Sequence, residues 1–231
     1  MQQDGHSTLS TPESANTCLP VVETFHSIQG EGTHGGRSAV FIRLAGCRVG
    51  CSWCDTRHSW PVQAHPQQPI TDLVQLVADA VDAGAAFAVI TGGEPLHHNL
   101  DPLCSALATV ARPSRLGNGP VPLHLETSGV DGLSGRFDWI TLSPKRHRPP
   151  TTELLAACQE LKVVVNEPDD LPFAEAMAAA AREARGSATP PELLLQPCWQ
   201  SSSGQELALD HVVRHPQWRL SLQTHKWLGV R

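Results

Sequence analysis

No long apolar run, no secretory leader pattern, no excess of positive charge and no internal repeat can be found in this sequence. Each absence closes off a class of protein. Without an apolar span the chain is expected to have no membrane partner, and without a leader its seven cysteines are expected to meet a reducing cytoplasm. Lys and Arg number 17 against 23 Asp and Glu, giving a net charge of -6 and a pI near 6.0. That balance offers no bulk attraction to nucleic acid or an anionic bilayer, although a local basic patch escapes the test. There is no second pair of cysteines at C-x2-C spacing, the commoner companion in structural zinc sites. An odd number of cysteines clustered in one place also does not read as a disulfide framework. Nothing resembling a linker divides the chain, and 231 residues, 40% hydrophobic and 17% charged, fit one well-filled domain.

What is present has a clear order. Residues 1–19 are rich in Ser, Thr and Gln without apolar periodicity and read as a disordered N-terminal extension, leaving 20–231 as the domain. Strands are expected at 21–25, 38–45, 87–90, 121–125, 139–142, 161–165, 193–195 and 218–222. Helices are expected at 71–83, with Thr71 as its cap, and at 100–110, 152–158, 170–185 and 204–214. Strands alternating with helices imply βαβ units and a mostly parallel sheet. Nearly every strand hands over at its C-terminal end to a short polar or glycine-rich stretch, the edge on which parallel α/β folds build their sites. Roughly six parallel strands are too few for a closed eight-stranded barrel, so the expected fold is α/β, a partial, open β/α barrel.

The organising stretch is Cys47-Arg48-Val49-Gly50-Cys51-Ser52-Trp53-Cys54, directly after the second strand. Three thiolates at C-x3-C-x2-C can hold three corners of a [4Fe-4S] cubane and leave the fourth iron open to a substrate or cosubstrate. The competing reading is zinc, with His58 as fourth ligand. The missing second knuckle and the strand-end position favour the cluster. Cys104 and Cys158, in apolar runs, read as buried and inert. Thr91-Gly92-Gly93-Glu94-Pro95 follows another buried strand, where bare glycines permit close backbone approach. Asp55-Thr56, after the last cysteine, read first as a turn, but as oxygen donors they also suit a hard divalent cation. Glu31, Arg43, Glu126 and His225 each read singly as surface or fold-stabilising groups. Arg43 stands out at an alternate position of an apolar strand, because a buried guanidinium needs an anionic partner such as a bound carboxylate.

The C-x3-C-x2-C loop together with the GGE stretch resembles the radical S-adenosylmethionine (SAM) enzymes. The larger ordered set is QGEG (29–32), FIRLAGC (41–47), CxWCDT (51–56), TGGEP (91–95), ETSG (126–129), SPK (143–145), QP (196–197) and QTHK (223–226). It resembles the 7-carboxy-7-deazaguanine synthase family across almost all of 22–231. The resemblance implies a radical SAM lyase that converts 6-carboxy-5,6,7,8-tetrahydropterin to 7-carboxy-7-deazaguanine and ammonia, on the way to queuosine and other 7-deazapurines. It implies a [4Fe-4S] cluster, SAM and magnesium, a small-molecule pterin substrate, an electron donor such as flavodoxin or ferredoxin, and a homodimer. By matching positions, Cys47, Cys51 and Cys54 would hold the cluster. Trp53, Cys54, Asp55, Gly93, Ser143, Pro144, Lys145, Gln196, Pro197, Cys198 and Trp199 would line the SAM site. Thr56 would ligate magnesium. Ile28, Gln29, Gly30, Glu31, Arg43, Thr91, Glu126, His225 and the last residue, Arg231, would hold the substrate. Where family members commonly continue QP with a Met-Asp-like pair, this chain has Cys198-Trp199. Another small radical SAM enzyme, such as a glycyl-radical activase, is the alternative. It would share the cluster and GGE elements without needing the QGEG, ETSG and QTHK set.

Overall fold

The computed structural model describes residues 18–231, so the expected extension lies outside the described residues except for Cys18 and Leu19, which already belong to the first strand. Strands β1 (Cys18–Ile28), β2 (Ser38–Leu44), β3 (Gln67–Pro69), β4 (Ala88–Gly92) and β5 (Leu123–Thr127) form the first half of one sheet. Strands β6 (Trp139–Leu142), β7 (Glu160–Val165), β8 (Glu192–Pro197) and β9 (Trp218–Leu220) complete it. The nine strands run in the order β3-β1-β2-β4-β5-β6-β7-β8-β9. From β2 onward every pairing is parallel, whereas β1 pairs antiparallel with both β2 and β3. β3 and β9 are the two edges and do not pair, so the barrel is open, with seven strands in the parallel part where roughly six were expected.

Helices α1 (Ile70–Asp82), α2 (Asp101–Leu107), α3 (Thr152–Ala157), α4 (Asp170–Arg185) and α5 (Ser202–Arg214) lie between strands, and α6 (Thr224–Leu228) closes the chain. Alternation along the strands explains how these layers meet. Ile42 and Leu44 of β2, Ile90 of β4, Leu125 of β5 and Leu161, Val163 and Val165 of β7 point outward. There they form one buried core with Leu73 and Val77 of α1, Leu103 and Leu107 of α2 and Ala174, Ala178 and Ala181 of α4. The alanine stripe of α4 lets that helix sit close to the sheet. The intervening strand residues face inward and line what the open barrel encloses.

Helix α4 and strand β6 fall where the sequence places them, whereas most other ends shift by one to three residues, β5 running on through Glu126 and Thr127 and α5 starting at Ser202, and the short β3 and α6 are not expected from the sequence. Thr71 is not the cap of α1. The helix starts one residue earlier at Ile70 behind Pro69, and the Thr71 hydroxyl donates to Asp72 at 3.3 Å instead. Helix α2 stops at Leu107, not Val110. The Thr109 hydroxyl donates to the Ala106 carbonyl at 2.7 Å, and Val110 accepts from Val121 N at 2.8 Å, which draws the chain into the next connection.

Candidate active site

The C-terminal ends of β2 and β4 to β8, the turn after β1 and the C-terminal segment surround a cavity of about 580 Å³. Every residue nominated from the sequence lines it except Pro144, which is buried behind the wall.

The cysteine loop is pinned from several sides. Gly46 N donates to Ser59 O at 2.7 Å and Cys47 N to Trp60 O at 3.2 Å, closing its base. His97 accepts from Arg48 N at 3.1 Å and binds Asp131 through its other ring nitrogen, while His98 donates to Ala45 O at 2.7 Å. The His97-His98 pair therefore serves to hold the loop. His147 donates to Val49 O at 3.1 Å. Cys47, Cys51 and Cys54 are all unpaired thiols facing the cavity. Burial pushes the Cys47 and Cys51 thiols up from their ordinary value, and the neighbouring thiols push the same way. Three soft donors on one loop fit a cubane, in which each thiolate takes a different iron. His58, the zinc reading's fourth ligand, is exposed, and its carbonyl accepts from His65 at 2.7 Å. Cys104 and Cys158 are buried elsewhere and pushed up to about 11 by that burial, as inert thiols should be.

The glycines of TGGEP have a task within the chain. A Cβ on Gly93 would lie 2.5 Å from Gly46 O, so a bare backbone is needed for this turn to press against the root of the cysteine loop. Glu94 N donates to Gly46 O at 2.9 Å. The Glu94 carboxylate is buried and accepts from Leu96 N at 3.1 Å, Thr127 Oγ1 at 2.5 Å, Ser128 N at 2.8 Å and the Ser128 hydroxyl. The TGGEP and ETSG stretches are thus one hydrogen-bonded unit that sets β4 and β5 against each other.

Opposite the cysteines lies a polar wall. Glu31 is held by Lys162 and by Gln223 Nε2, the latter at 2.8 Å. Burial opposes its ionisation, yet the Lys162 ammonium and these hydrogen bonds bring its carboxyl down to about 2. Burial likewise works against the Lys162 charge, and Glu31, Glu126 and Glu160 overcome it, keeping the ammonium above the usual lysine range. Glu126 accepts from Gln29 Nε2 at 3.0 Å and Thr91 Oγ1 at 2.9 Å. His225 packs so closely that a Cβ on Gly30 would meet its Nδ1 at 2.0 Å, and burial lowers its pKa, leaving a neutral ring. Lys145 donates to Ser143 Oγ at 2.7 Å and lies 4.8 Å from the Trp53 ring centre. Burial lowers its pKa, with Cys51 and the cavity carboxylates countering.

One expectation changes at this wall, and two features are added to it. Arg43 is not a buried guanidinium waiting for a ligand. It is partly exposed and already paired with Glu23 at 3.0 Å, and Glu23 also binds Arg231 at 2.7 Å. Trp199 of the divergent Cys198-Trp199 pair stacks edge-on with Trp227 at 5.8 Å, tying β8 to α6. Lys162, which no sequence motif includes, also reaches the cavity, as do Gln223 and Lys226 of the QTHK stretch, Lys226 pairing with Asp55. Lys162 had the same signal as Arg43, a charge at an alternate position of an apolar strand.

Three cluster-competent thiols at the carboxyl edge of an open parallel barrel, beside a cavity with room for a nucleoside-sized cosubstrate, define a radical SAM iron–sulfur enzyme. A family model described as a 4Fe-4S single cluster domain matches residues 28–119. The chain is 51% identical to the 7-carboxy-7-deazaguanine synthase of Prochlorococcus marinus, covering 93% of this chain and 99% of that protein. It is 48% identical to the enzyme of that name from Synechocystis, with 95% and 97% covered. The crystal structure of QueE from Escherichia coli superposes with a TM-score of 0.71 at 29% identity, over 90% of this chain and 95% of that one. The chain belongs to the 7-carboxy-7-deazaguanine synthase family.

Proposed function

We infer that this chain carries out its family's reaction, the radical SAM conversion of 6-carboxy-5,6,7,8-tetrahydropterin to 7-carboxy-7-deazaguanine and ammonia in queuosine and 7-deazapurine biosynthesis. The observation that carries this is the convergence of stretches from almost every parallel strand on one cavity, with three thiols on one side and a carboxylate-rich wall on the other. Cys47, Cys51 and Cys54 are the residues for the cluster. When bound, the cluster supplies the electron that turns SAM into a hydrogen-abstracting radical source. Lys145, which has no carboxylate within salt-bridge distance among the described residues, is the cation for an anionic group of SAM, with Trp53, Gly93, Ser143 and Gln196 around it. Pro197, Cys198 and Trp199 extend that side.

The opposite wall suits a flat, nitrogen-rich ring. Glu31, kept ionised by Lys162, and Glu126 present carboxylate acceptors for ring and amine N–H groups, with Gln29 and Thr91 orienting Glu126 and Gly30 packed against His225. Neutral His225 offers one donor and one acceptor nitrogen. Arg43 and Arg231, bridged by Glu23, place positive charge where a substrate carboxylate would enter. Thr56, with its hydroxyl 3.6 Å from Cys54 Sγ and next to Asp55, is the protein oxygen for a magnesium ion shared with that carboxylate. The family resemblance also supports a flavodoxin or ferredoxin as reductant, a homodimer and a cytoplasmic location. Among the described residues no helix is long and apolar enough to cross a membrane.

The deciding experiment incubates the reconstituted protein with carboxytetrahydropterin, SAM, magnesium and dithionite and follows the product by mass. Appearance of 7-carboxy-7-deazaguanine is expected. SAM cleavage without that product would leave a radical SAM enzyme acting on another substrate.

A further inference from the structure

The chain is acidic as a whole, yet the outer surface of the cysteine loop is basic. Arg48 lies within the loop and is exposed. Arg57, just after it, and Arg148, from the turn after β6, are exposed on its flanks. The two flanking arginines are anchored to the loop's own backbone, Arg57 on Ser52 O and Arg148 on Arg48 O. Carbonyls orient a guanidinium without neutralising it. By contrast Arg146, in the same Lys-Arg-His-Arg stretch, is matched by Glu167, Asp169 and Asp170. Among the described residues no carboxylate lies within salt-bridge distance of Arg48, Arg57 or Arg148. Two acids near the loop are already engaged, Asp131 by His97 and the exposed Asp55 by Lys226. Gly50, Ser52 and Trp53 are the exposed points between these charges, and the three cysteines lie directly behind them.

We propose that Arg48, Arg57 and Arg148 form the docking surface for an acidic one-electron carrier protein, seated over the outer face of the cysteine loop. The proposal rests on the radical SAM reading of the same loop. Charge complementarity favours this occupant: an acidic protein is drawn to a positive patch on an otherwise acidic chain, and this patch adjoins the loop that carries Cys47, Cys51 and Cys54. Nucleic acid would meet the repulsion of the remaining surface.

The test measures binding of a flavodoxin to the reconstituted protein by titration calorimetry at low and high salt, for the wild type, Arg48→Glu, and Arg57→Gln with Arg148→Gln. The glutamines keep a donor toward the loop carbonyls while removing charge. Affinity is expected to fall about tenfold or more in each variant and to lose most of its salt dependence. Turnover driven by dithionite should stay at the wild-type level, whereas turnover driven by flavodoxin should fall with affinity. Unchanged flavodoxin affinity would overturn the proposal. Equal loss of dithionite- and flavodoxin-driven turnover would overturn it too, since the arginines would then serve the loop and not a partner. Failure of wild-type turnover with dithionite would instead strike the enzymatic reading and leave the binding measurement to stand alone.

Discussion

The inner face of the barrel carries two different chemistries one pleat repeat apart on the same strands. Toward the C-terminal ends it presents Arg43, Thr91, Glu126, Thr141, Lys162 and Gln196 to the cavity. Two residues earlier on each of those strands stand Phe41, Val89, His124, Trp139, Glu160 and Leu194. In that lower layer His124 stacks on Phe87 at 4.1 Å, and His34, from the loop after β1, inserts edge-on against Trp139 at 4.5 Å. Alternation decides which residues face inward. Height along the strand then decides whether they meet ligand or plug. The polar layer is held by ion pairs and hydrogen bonds, and the lower layer holds its histidines by excluding water. Burial lowers the His124 pKa to about 3, with His34 and Arg37 adding repulsion.

The strongest way to break the upper layer is at the cysteines facing it. Cys51→Ala removes one corner of the cluster. SAM cleavage should vanish and iron after anaerobic reconstitution should fall well below four per chain; retained cluster and turnover would refute the ligand role. Next comes Lys162→Met, which leaves Glu31 as an unpaired buried carboxylate and should cost about 3 kcal/mol at neutral pH. In the wild type the depressed Glu31 pKa stabilises the fold above the unfolded carboxylate pKa, and that contribution is lost progressively as pH falls from there through about 2. In the variant an unpaired Glu31 is relieved by protonation, so the gap from wild type should narrow as pH is lowered. Urea midpoints at neutral and mildly acidic pH will show this, and a gap that stays constant would mean that Lys162 acts through packing alone.

The lower layer gives the same sign of pH dependence in a higher window. His124 must stay neutral to remain folded, so the unfolded chain binds its proton first. Stability should therefore fall between about pH 6.5 and 3, by up to about 1.4 kcal/mol per pH unit from this residue. His124→Phe should flatten that slope while leaving activity at pH 7 near wild type. An unchanged slope would show that other groups dominate the acid limb. Arg43→Lys, in the upper layer of β2, loses the planar fork and should raise the Michaelis constant for the pterin about tenfold with kcat less affected; an unaltered constant would free Arg43 from substrate binding. The smallest effect is expected for Thr56→Ala. It should weaken the response of turnover to magnesium and leave cluster absorbance intact, and an identical magnesium titration would reject Thr56 as ligand.

Much of the fold is legible from pattern alone, because β7, β8 and α4 follow simple rules of apolar alternation and periodicity. The errors at α1 and α2 come from local competition: Pro69 sets a helix start that the sequence assigned to a threonine cap, and Thr109 captures a carbonyl that would have extended α2. Lys162 went unnoticed because it sits inside Leu161–Val165, a run whose apolar majority hides a single inward charge. Arg43 stands out in its apolar strand and does have an anionic partner, but it is partly exposed and that partner, Glu23, lies on the neighbouring strand, where only register brings the two together.

The sequence by itself determined the donors and their spacing: three soft thiols in one loop, glycines where backbones must touch, and polar stretches at strand ends. Those are local properties, carried by covalent geometry and residue chemistry. Tertiary structure alone decided how the groups are used. It made TGGEP and ETSG a single unit through Glu94, bound Arg43 to Glu23 and Arg231, and gave buried Glu31 its charge through Lys162. Those outcomes depend on which side chains are brought within a few ångströms of each other and screened from water. Strand order and register control that, and neither can be read from any one segment.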